Sequence, residues 1–129
     1  MTDLYVLIKN DPHQLEFIED DQTNELCELA VSIDGSALEY VVNQTDKICE
    51  IAVTNYGFAL RHVKKQTEHI CKCALYANPQ SFRFIKNKTF ELCKIALSQD
   101  ETLFQYIDKD SPVILEHYDE LCNIAKSNK

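Results

Sequence analysis

The chain has 129 residues, of which 45% are hydrophobic, and a formal net charge of −8. This length and hydrophobic content are typical of a single globular domain and exclude a disordered chain. Two glycines and three prolines are too few for the many tight turns of an all-β protein. The sequence has no apolar run long enough to span a membrane and no basic, apolar leader at its start. We therefore expect an intracellular protein that is neither secreted nor embedded in a membrane.

The chain begins with a degenerate repeat at residues 4–18. Residues 4–8 form a short apolar segment that indicates a helix. Asp11 then precedes Pro12, and a capping residue followed by proline is typical of a helix start. A second apolar segment follows at residues 14–18. The first repeat is therefore predicted to contain two short helices.

A cysteine motif then recurs through the chain. The sequence LCELAV at residues 26–31 returns in related forms, so that a cysteine stands at 27, 49, 71 and 93, a constant period of 22 residues. Self-similarity at a fixed period is typical of stacked repeat proteins. The apolar residues of each motif follow the period of an α-helix, and a threonine four residues before each cysteine can cap that helix. The full repeats are predicted at residues 23–43, 45–65, 67–87 and 89–107.

Each repeat also contains a second, shorter helix of about seven or eight residues, which includes residues 37–41 in the first full copy. In two copies this helix begins at Pro12 or Pro79, since proline suits the first helical position. Gly35 and Gly57 occupy the same position in two other copies. Glycine is predicted there to make the turn that leaves the first helix. Every repeat is therefore expected to fold as two helices separated by a turn.

The last segment departs from the period. A further copy of the motif, around Cys122, arrives 29 residues after Cys93. Ser111 before Pro112 predicts a helix start, and a C-terminal capping helix is predicted at about residues 112–126. Terminal repeats of solenoids are usually atypical because one face meets water. The predicted fold is all-α: a single domain over residues 1–129, an α-hairpin solenoid of about five 22-residue helix-turn-helix repeats with atypical terminal caps.

The repeat unit resembles a known family. The cysteine motif is followed by the closely related segments at residues 34–41 and 55–63. Together they are similar to an uncharacterised tandem short-repeat domain that is common in giant DNA viruses of amoebae. The resemblance covers residues 10–107. It implies a viral or protist origin and an interaction role. If the protein is viral, the expected location is the host cytoplasm. The resemblance implies no activity, cofactor or catalytic residue.

The six cysteines raise the alternative of a redox or metal-binding protein. Helix layers pack about 8–10 Å apart, which is too far for a disulfide between equivalent positions, so we expect reduced core thiols. Cys71 and Cys73 point about 200° apart on one helix and cannot hold the same ion. His69 and Cys73 supply two ligands, fewer than a structural zinc site needs. Cys73 also aligns with apolar core positions, so we predict no metal, no cofactor and no catalytic residue.

Two carboxylates one repeat apart, Glu28 and Glu50, could in principle do acid–base work. The series continues with Lys72 and Lys94, and this change of charge favours an exposed face without catalysis. We therefore predict that the protein is not an enzyme.

Charge is distributed unevenly along the chain. Residues 61–94 carry eight basic residues against two acidic ones, between an acidic first part and an acidic end. Arg61 and Arg83 lie at equivalent positions of the second helix. They belong to a candidate interaction ridge, which consists of Glu39, Arg61, Arg83 and Gln105, with Tyr40, His62, Phe84 and Tyr106 beside them.

Basic and aromatic side chains on one ridge could bind an acidic peptide or single-stranded nucleic acid. The net charge of −8 disfavours nucleic acid. The competing interpretation is that the aromatic rings pack between layers and the cations are simply solvated. The predicted function is a non-enzymatic protein-interaction scaffold whose partner is another protein. A self-associating structural protein is a further alternative.

Overall fold

The computed structural model describes residues 3–127 and is helical, with no strand in that part of the chain. The all-α prediction is therefore confirmed. The α-helices are α1 (Leu4–Asn10), α2 (Asn24–Ile33), α3 (Asp46–Asn55), α4 (Glu68–Ala77), α5 (Phe90–Gln99) and α6 (Pro112–Ser127). The 3₁₀ helices are Pro12–Phe17, Glu19–Asp21, Gly35–Tyr40, Gly57–His62, Pro79–Phe84 and Glu101–Tyr106.

Helices α2 to α5 have the same length and begin in the same way. Each has ten residues, and the hydroxyl oxygen of a threonine accepts a hydrogen bond from the backbone N–H three residues later. In α3, for example, the Thr45 oxygen lies 3.1 Å from the Ile48 nitrogen. The predicted threonine caps are therefore confirmed at Thr23, Thr45, Thr67 and Thr89.

One extended residue separates each of these helices from the 3₁₀ helix that follows it. Asp34 illustrates the arrangement: its N–H donates to Ala30 in α2, and its carboxylate accepts from the Ser36 N–H 2.9 Å away. Asn78 and Asp100 cap their 3₁₀ helices through the same short-range bond. The predicted second helix of each repeat is thus a 3₁₀ helix of six residues.

The chain turns at Gly35 and Gly57, between each α-helix and the 3₁₀ helix that follows, as predicted. Neither glycine has a positive φ, so backbone conformation is not the reason for glycine at these positions. A Cβ atom on Gly35 would lie 2.5 Å from the Ala52 carbonyl oxygen and 2.7 Å from Tyr56 Cβ. A Cβ atom on Gly57 would lie 2.9 Å from the Ala74 oxygen. Glycine is needed because the C-terminal half of the next α-helix passes directly over this position.

An α-helix and the 3₁₀ helix that follows it are here called a unit. Each unit packs against the next one: α2 against α3, α3 against α4, and the 3₁₀ helices against one another along the chain. Four positions of each helix from α2 to α5 are buried, and they join one core cluster that runs from Ile8 to Leu121. These positions are occupied in α2 by Leu26, Cys27, Ala30 and Val31.

Glutamine side chains connect successive units. The Gln44 amide nitrogen donates to the His62 carbonyl at 2.7 Å, and its oxygen accepts from the Lys64 N–H at 2.9 Å. Gln22 and Gln66 make the same pair of bonds one unit earlier and one unit later. Because each bond joins a side chain to the backbone of the following unit, the glutamines hold the extended residue after each 3₁₀ helix in place. Lys88 takes the equivalent position in the next unit and donates instead to Ile85.

The C-terminal helix α6 covers α5 at the end of this series. His117 stacks on Phe90 with a centroid separation of 3.8 Å, and Tyr118 meets Phe104 edge-on at 5.7 Å.

In the part of the chain that the structure describes, no helix is long and apolar enough to cross a bilayer.

Candidate functional site

The candidate interaction ridge occupies the last two residues of four consecutive 3₁₀ helices. The first residue of each pair is exposed, and the second is half-buried. The exposed residues are Glu39, Arg61, Arg83 and Gln105, and the half-buried residues are Tyr40, His62, Phe84 and Tyr106. Tyr40, Phe84 and Tyr106 pack against the core. The aromatic side chains therefore contribute to packing between units, and the neighbouring polar side chains reach solvent.

Two arginines and two phenylalanines meet in the middle of this ridge. The Arg83 guanidinium carbon lies 5.2 Å from the Phe84 ring centroid and 5.8 Å from that of Phe58, and Arg61 lies 5.7 Å from Phe84. The two rings meet edge-on at 5.6 Å. These distances permit cation–π attraction, which is worth about 0.5–1 kcal/mol at an exposed site. We call these four residues the arginine–phenylalanine cluster.

Phe58 was not among the ridge residues inferred from the sequence. It lies one residue after Gly57, where the neighbouring repeats have Ser36 and Gln80, so no periodic pattern singles it out. Its ring reaches Phe84 because the 3₁₀ helix Gly57–His62 packs against the next one, Pro79–Phe84. The only available signal was an aromatic residue at a position that is otherwise polar.

The acidic end of the ridge differs in its electrostatics. The Glu39 carboxylate raises the pKa of Tyr40, with a smaller contribution from burial. Burial lowers the pKa of His62, although Glu39 opposes this shift. The ring of Tyr40 also meets His13 at 5.5 Å. The ridge therefore changes from acidic and neutral groups at Glu39 to cations at Arg61 and Arg83.

The four cysteines of the period are buried, as predicted from their register. Burial raises the pKa of Cys27, and it raises the pKa of Cys49, Cys71 and Cys93 to about 11. A thiol with so high a pKa stays protonated at neutral pH and is a poor nucleophile. All six cysteines of the chain are free thiols. The repeat cysteines are thus packing residues.

Cys73 does not lie in the core position that its alignment predicted. It is half-buried, and so are the aligned residues Leu29, Ile51 and Ile95. This register position lies at the edge of the core, where a helix meets the preceding one. The Cys73 sulfur lies 3.7 Å from the His69 Nε2 atom of the same helix, α4.

A third polar group joins this pair from the preceding unit. The Glu50 Oε1 atom of α3 lies 3.3 Å from His69 Nε2. The ligand atoms of Glu50, His69 and Cys73 all lie within 4.8 Å of one another. Because Glu50 lies on a different helix from His69 and Cys73, their spacing in the sequence does not identify it as a third ligand.

The two carboxylates contact different groups, a lysine ammonium group for Glu28 and a histidine imidazole for Glu50. The Glu28 carboxylate lies 3.6 Å from the Lys47 ammonium group, and Glu50 contacts His69. Each partner comes from the following α-helix, three residues before the position equivalent to the carboxylate. The two carboxylates are thus engaged in two inter-unit contacts.

Comparison with known proteins gives no relative from which functional residues could be transferred. No protein-family model, curated protein or solved structure matches the chain. The contacts described above are therefore the basis for assigning a function.

Proposed function

We propose that the protein is a non-enzymatic protein-interaction scaffold, in which the units stack as an α-hairpin solenoid and present a ridge of variable side chains. The sequential packing of α2 to α5, the repeated glutamine bonds and the single continuous core support the stacked arrangement. In such arrays each unit contacts mainly its neighbours, and the exposed positions of successive units form an extended binding surface.

The arginine–phenylalanine cluster is the observation that carries this proposal. Arg61 and Arg83 are exposed, and the rings of Phe58 and Phe84 lie beside their guanidinium groups. Ring contacts restrict the side chains before a partner arrives, so less conformational entropy is lost on binding. A guanidinium can then bind a carboxylate through two parallel hydrogen bonds. Arginine and aromatic residues are also enriched among the residues that dominate interface energies.

The charge around the cluster favours an acidic partner. The cluster is flanked by exposed lysines two or three residues after the ends of its two 3₁₀ helices, at Lys64, Lys65 and Lys86. We propose that the partner is an acidic segment of another protein. Nucleic acid is disfavoured because the net charge is −8 and would repel a polyanion beyond the basic region.

The buried thiols and the paired carboxylates support a function without catalysis. Neutral core thiols offer no nucleophile, and Glu28 is paired with a lysine. Membership of the giant-virus repeat family and an intracellular location are part of the same proposal. Four buried free thiols are compatible with a reducing compartment.

An array of defined acidic, neutral and basic peptides tests the proposal. Wild-type protein should bind acidic peptides selectively, and Arg61→Glu/Arg83→Glu should lose at least about tenfold in affinity. The matched control is Lys9→Glu/Lys126→Glu, which changes the net charge equally at exposed residues of α1 and α6. The control should keep its affinity. An equal loss in both double variants would attribute binding to net charge and reject the ridge, as would unchanged binding by the arginine variant.

A further inference from the structure

We infer that Glu50, His69 and Cys73 form a binding site for a zinc ion between α3 and α4. This site lies on the α-helices of two successive units and is separate in sequence from the ridge on the 3₁₀ helices. The inference does not depend on the proposed scaffold function.

The separations of His69 from Glu50 and from Cys73 suit a tetrahedral zinc ion, and the Glu50 oxygen and the Cys73 sulfur lie within 4.8 Å of each other. Zinc bonds are about 2.0–2.1 Å to a histidine nitrogen, about 2.3 Å to a thiolate sulfur and about 2.0–2.2 Å to a carboxylate oxygen. Tetrahedral angles then place nitrogen and oxygen about 3.4 Å apart, and nitrogen and sulfur about 3.6 Å apart. The observed distances are 3.3 Å from His69 to Glu50 and 3.7 Å from His69 to Cys73.

Helix geometry explains why these residues meet. His69 and Cys73 are four residues apart, so they lie on the same face of α4. Glu50 lies on α3, which packs against α4 through the core. The neighbouring residues Cys49 and Cys71 are buried, so both helices are anchored close to the ligands. A site on two packed helices is held more precisely than one on loops.

The preceding pair of helices provides an internal comparison. The equivalent positions of α2 and α3 are occupied by Glu28, Lys47 and Ile51, where Glu28 and Lys47 form an ion pair. An ion pair between units therefore needs no sulfur nearby. In α3 and α4 the lysine is replaced by His69 and the isoleucine by Cys73. Both replacements supply metal ligands, and the structure places them beside the same carboxylate.

The ligand types favour zinc over magnesium and calcium. Sulfur and imidazole ligands suit zinc, whereas magnesium and calcium select sites made of oxygen. Binding would release the Cys73 thiol proton to solvent, and the ion would then be held by one nitrogen, one sulfur and one oxygen. Glu50 and His69 are exposed, and an open cleft of about 460 Å³ lined by Glu50 and Thr54 adjoins the site. Water can therefore take the fourth position, as in zinc sites with three protein ligands.

Titration of the reduced protein with zinc and with cobalt as a spectroscopic substitute tests the site. We expect one zinc ion per chain by calorimetry, and with cobalt a thiolate charge-transfer band and the strong visible bands of tetrahedral coordination. Cys73→Ala should abolish the thiolate band, and His69→Gln should abolish the tetrahedral bands. Glu50→Gln should weaken zinc binding at least about tenfold. Because Glu50 is exposed, this variant remains informative even if another substitution disturbs folding.

Matched controls exist for all three ligands. Glu28→Gln alters the equivalent carboxylate, His117→Gln an imidazole on α6, and Cys122→Ala the other half-buried thiol. All three should bind zinc and cobalt as the wild type does. Cobalt binding without a thiolate band, or equal zinc affinity in wild type and Cys73→Ala, would overturn the inference. Loss of binding in the control variants alone would do the same.

Discussion

Replacing Gly35 by alanine should destabilise the protein, although glycine-to-alanine changes at this kind of backbone usually stabilise. The φ of Gly35 is not positive, so alanine can adopt the conformation. Without any clash, alanine would reduce the conformational freedom of the unfolded chain and so add about 0.4–1 kcal/mol to the free energy of unfolding. The added Cβ, however, would lie 2.5 Å from the Ala52 carbonyl oxygen.

The size of the effect follows from that distance. Close carbon–oxygen contacts in proteins lie at about 3.3–3.6 Å, so α3 would have to move by about 0.8 Å from the 3₁₀ helix Gly35–Tyr40. Overpacking of this kind costs about 1–3 kcal/mol. After the gain from the unfolded chain, we expect a net loss of about 1–2 kcal/mol. Gly57→Ala should cost less because its Cβ would lie 2.9 Å from the Ala74 oxygen.

Urea unfolding followed by far-ultraviolet circular dichroism measures both variants. Asn43→Ala serves as the control, since Asn43 is an exposed loop residue and its replacement should change stability by less than about 0.5 kcal/mol. An increase in stability for Gly35→Ala would show that the units do not approach each other as closely as described. A larger loss for Gly57→Ala than for Gly35→Ala would contradict the difference in distances.

Two further results are expected. Gln44→Ala should lower the free energy of unfolding, measured with urea, by about 1–3 kcal/mol, because the His62 carbonyl and the Lys64 N–H lose their partner. The control Gln99→Ala, at an exposed position, should have almost no effect. Equal stability of the two variants would show that the glutamine bonds do not stabilise the fold. Stability should also fall at alkaline pH. Cys49, Cys71 and Cys93 have pKa values of about 11 in the folded protein, above their unfolded values, so the unfolded chain loses these protons first. Each thiol then lowers the free energy of unfolding by up to about 1.4 kcal/mol per pH unit above about pH 9, and none of this effect is present below that pH. A urea midpoint that stays constant from pH 8.5 to pH 10.5 would show that these thiols are not buried.

Local sequence patterns predicted the elements of the fold because their causes are local. The helical period of the cysteine motif and the threonine before it determine where α2 to α5 begin, and the Thr45 cap is an example. The register of the four repeat cysteines likewise predicted their burial. The helix starts depend on residues within a few positions of one another, and the cysteine register is a repeat visible in the sequence itself.

The errors concern distances between units. The role of Gly35 depends on the path of α3 above it, which no residue near Gly35 reveals. The group of Glu50, His69 and Cys73 depends on the register of two helices across their interface. Gln22, Gln44 and Gln66 did carry a periodic signal, as they precede three of the capping threonines. Their inter-unit bonds become apparent only when the position of the next unit is known.

The most direct measurement of the proposed function compares the wild type with Arg61→Lys/Arg83→Lys. This variant keeps the charge of the ridge but removes the planar guanidinium groups that lie beside Phe58 and Phe84. Fluorescence anisotropy with the acidic peptide that the wild type binds most tightly gives the dissociation constants of both proteins. If the arginine–phenylalanine cluster is the docking site, the lysine variant should bind at least about tenfold more weakly, a difference of about 1.4 kcal/mol. Equal affinities would show that positive charge alone attracts the peptide and that the cluster has no specific role.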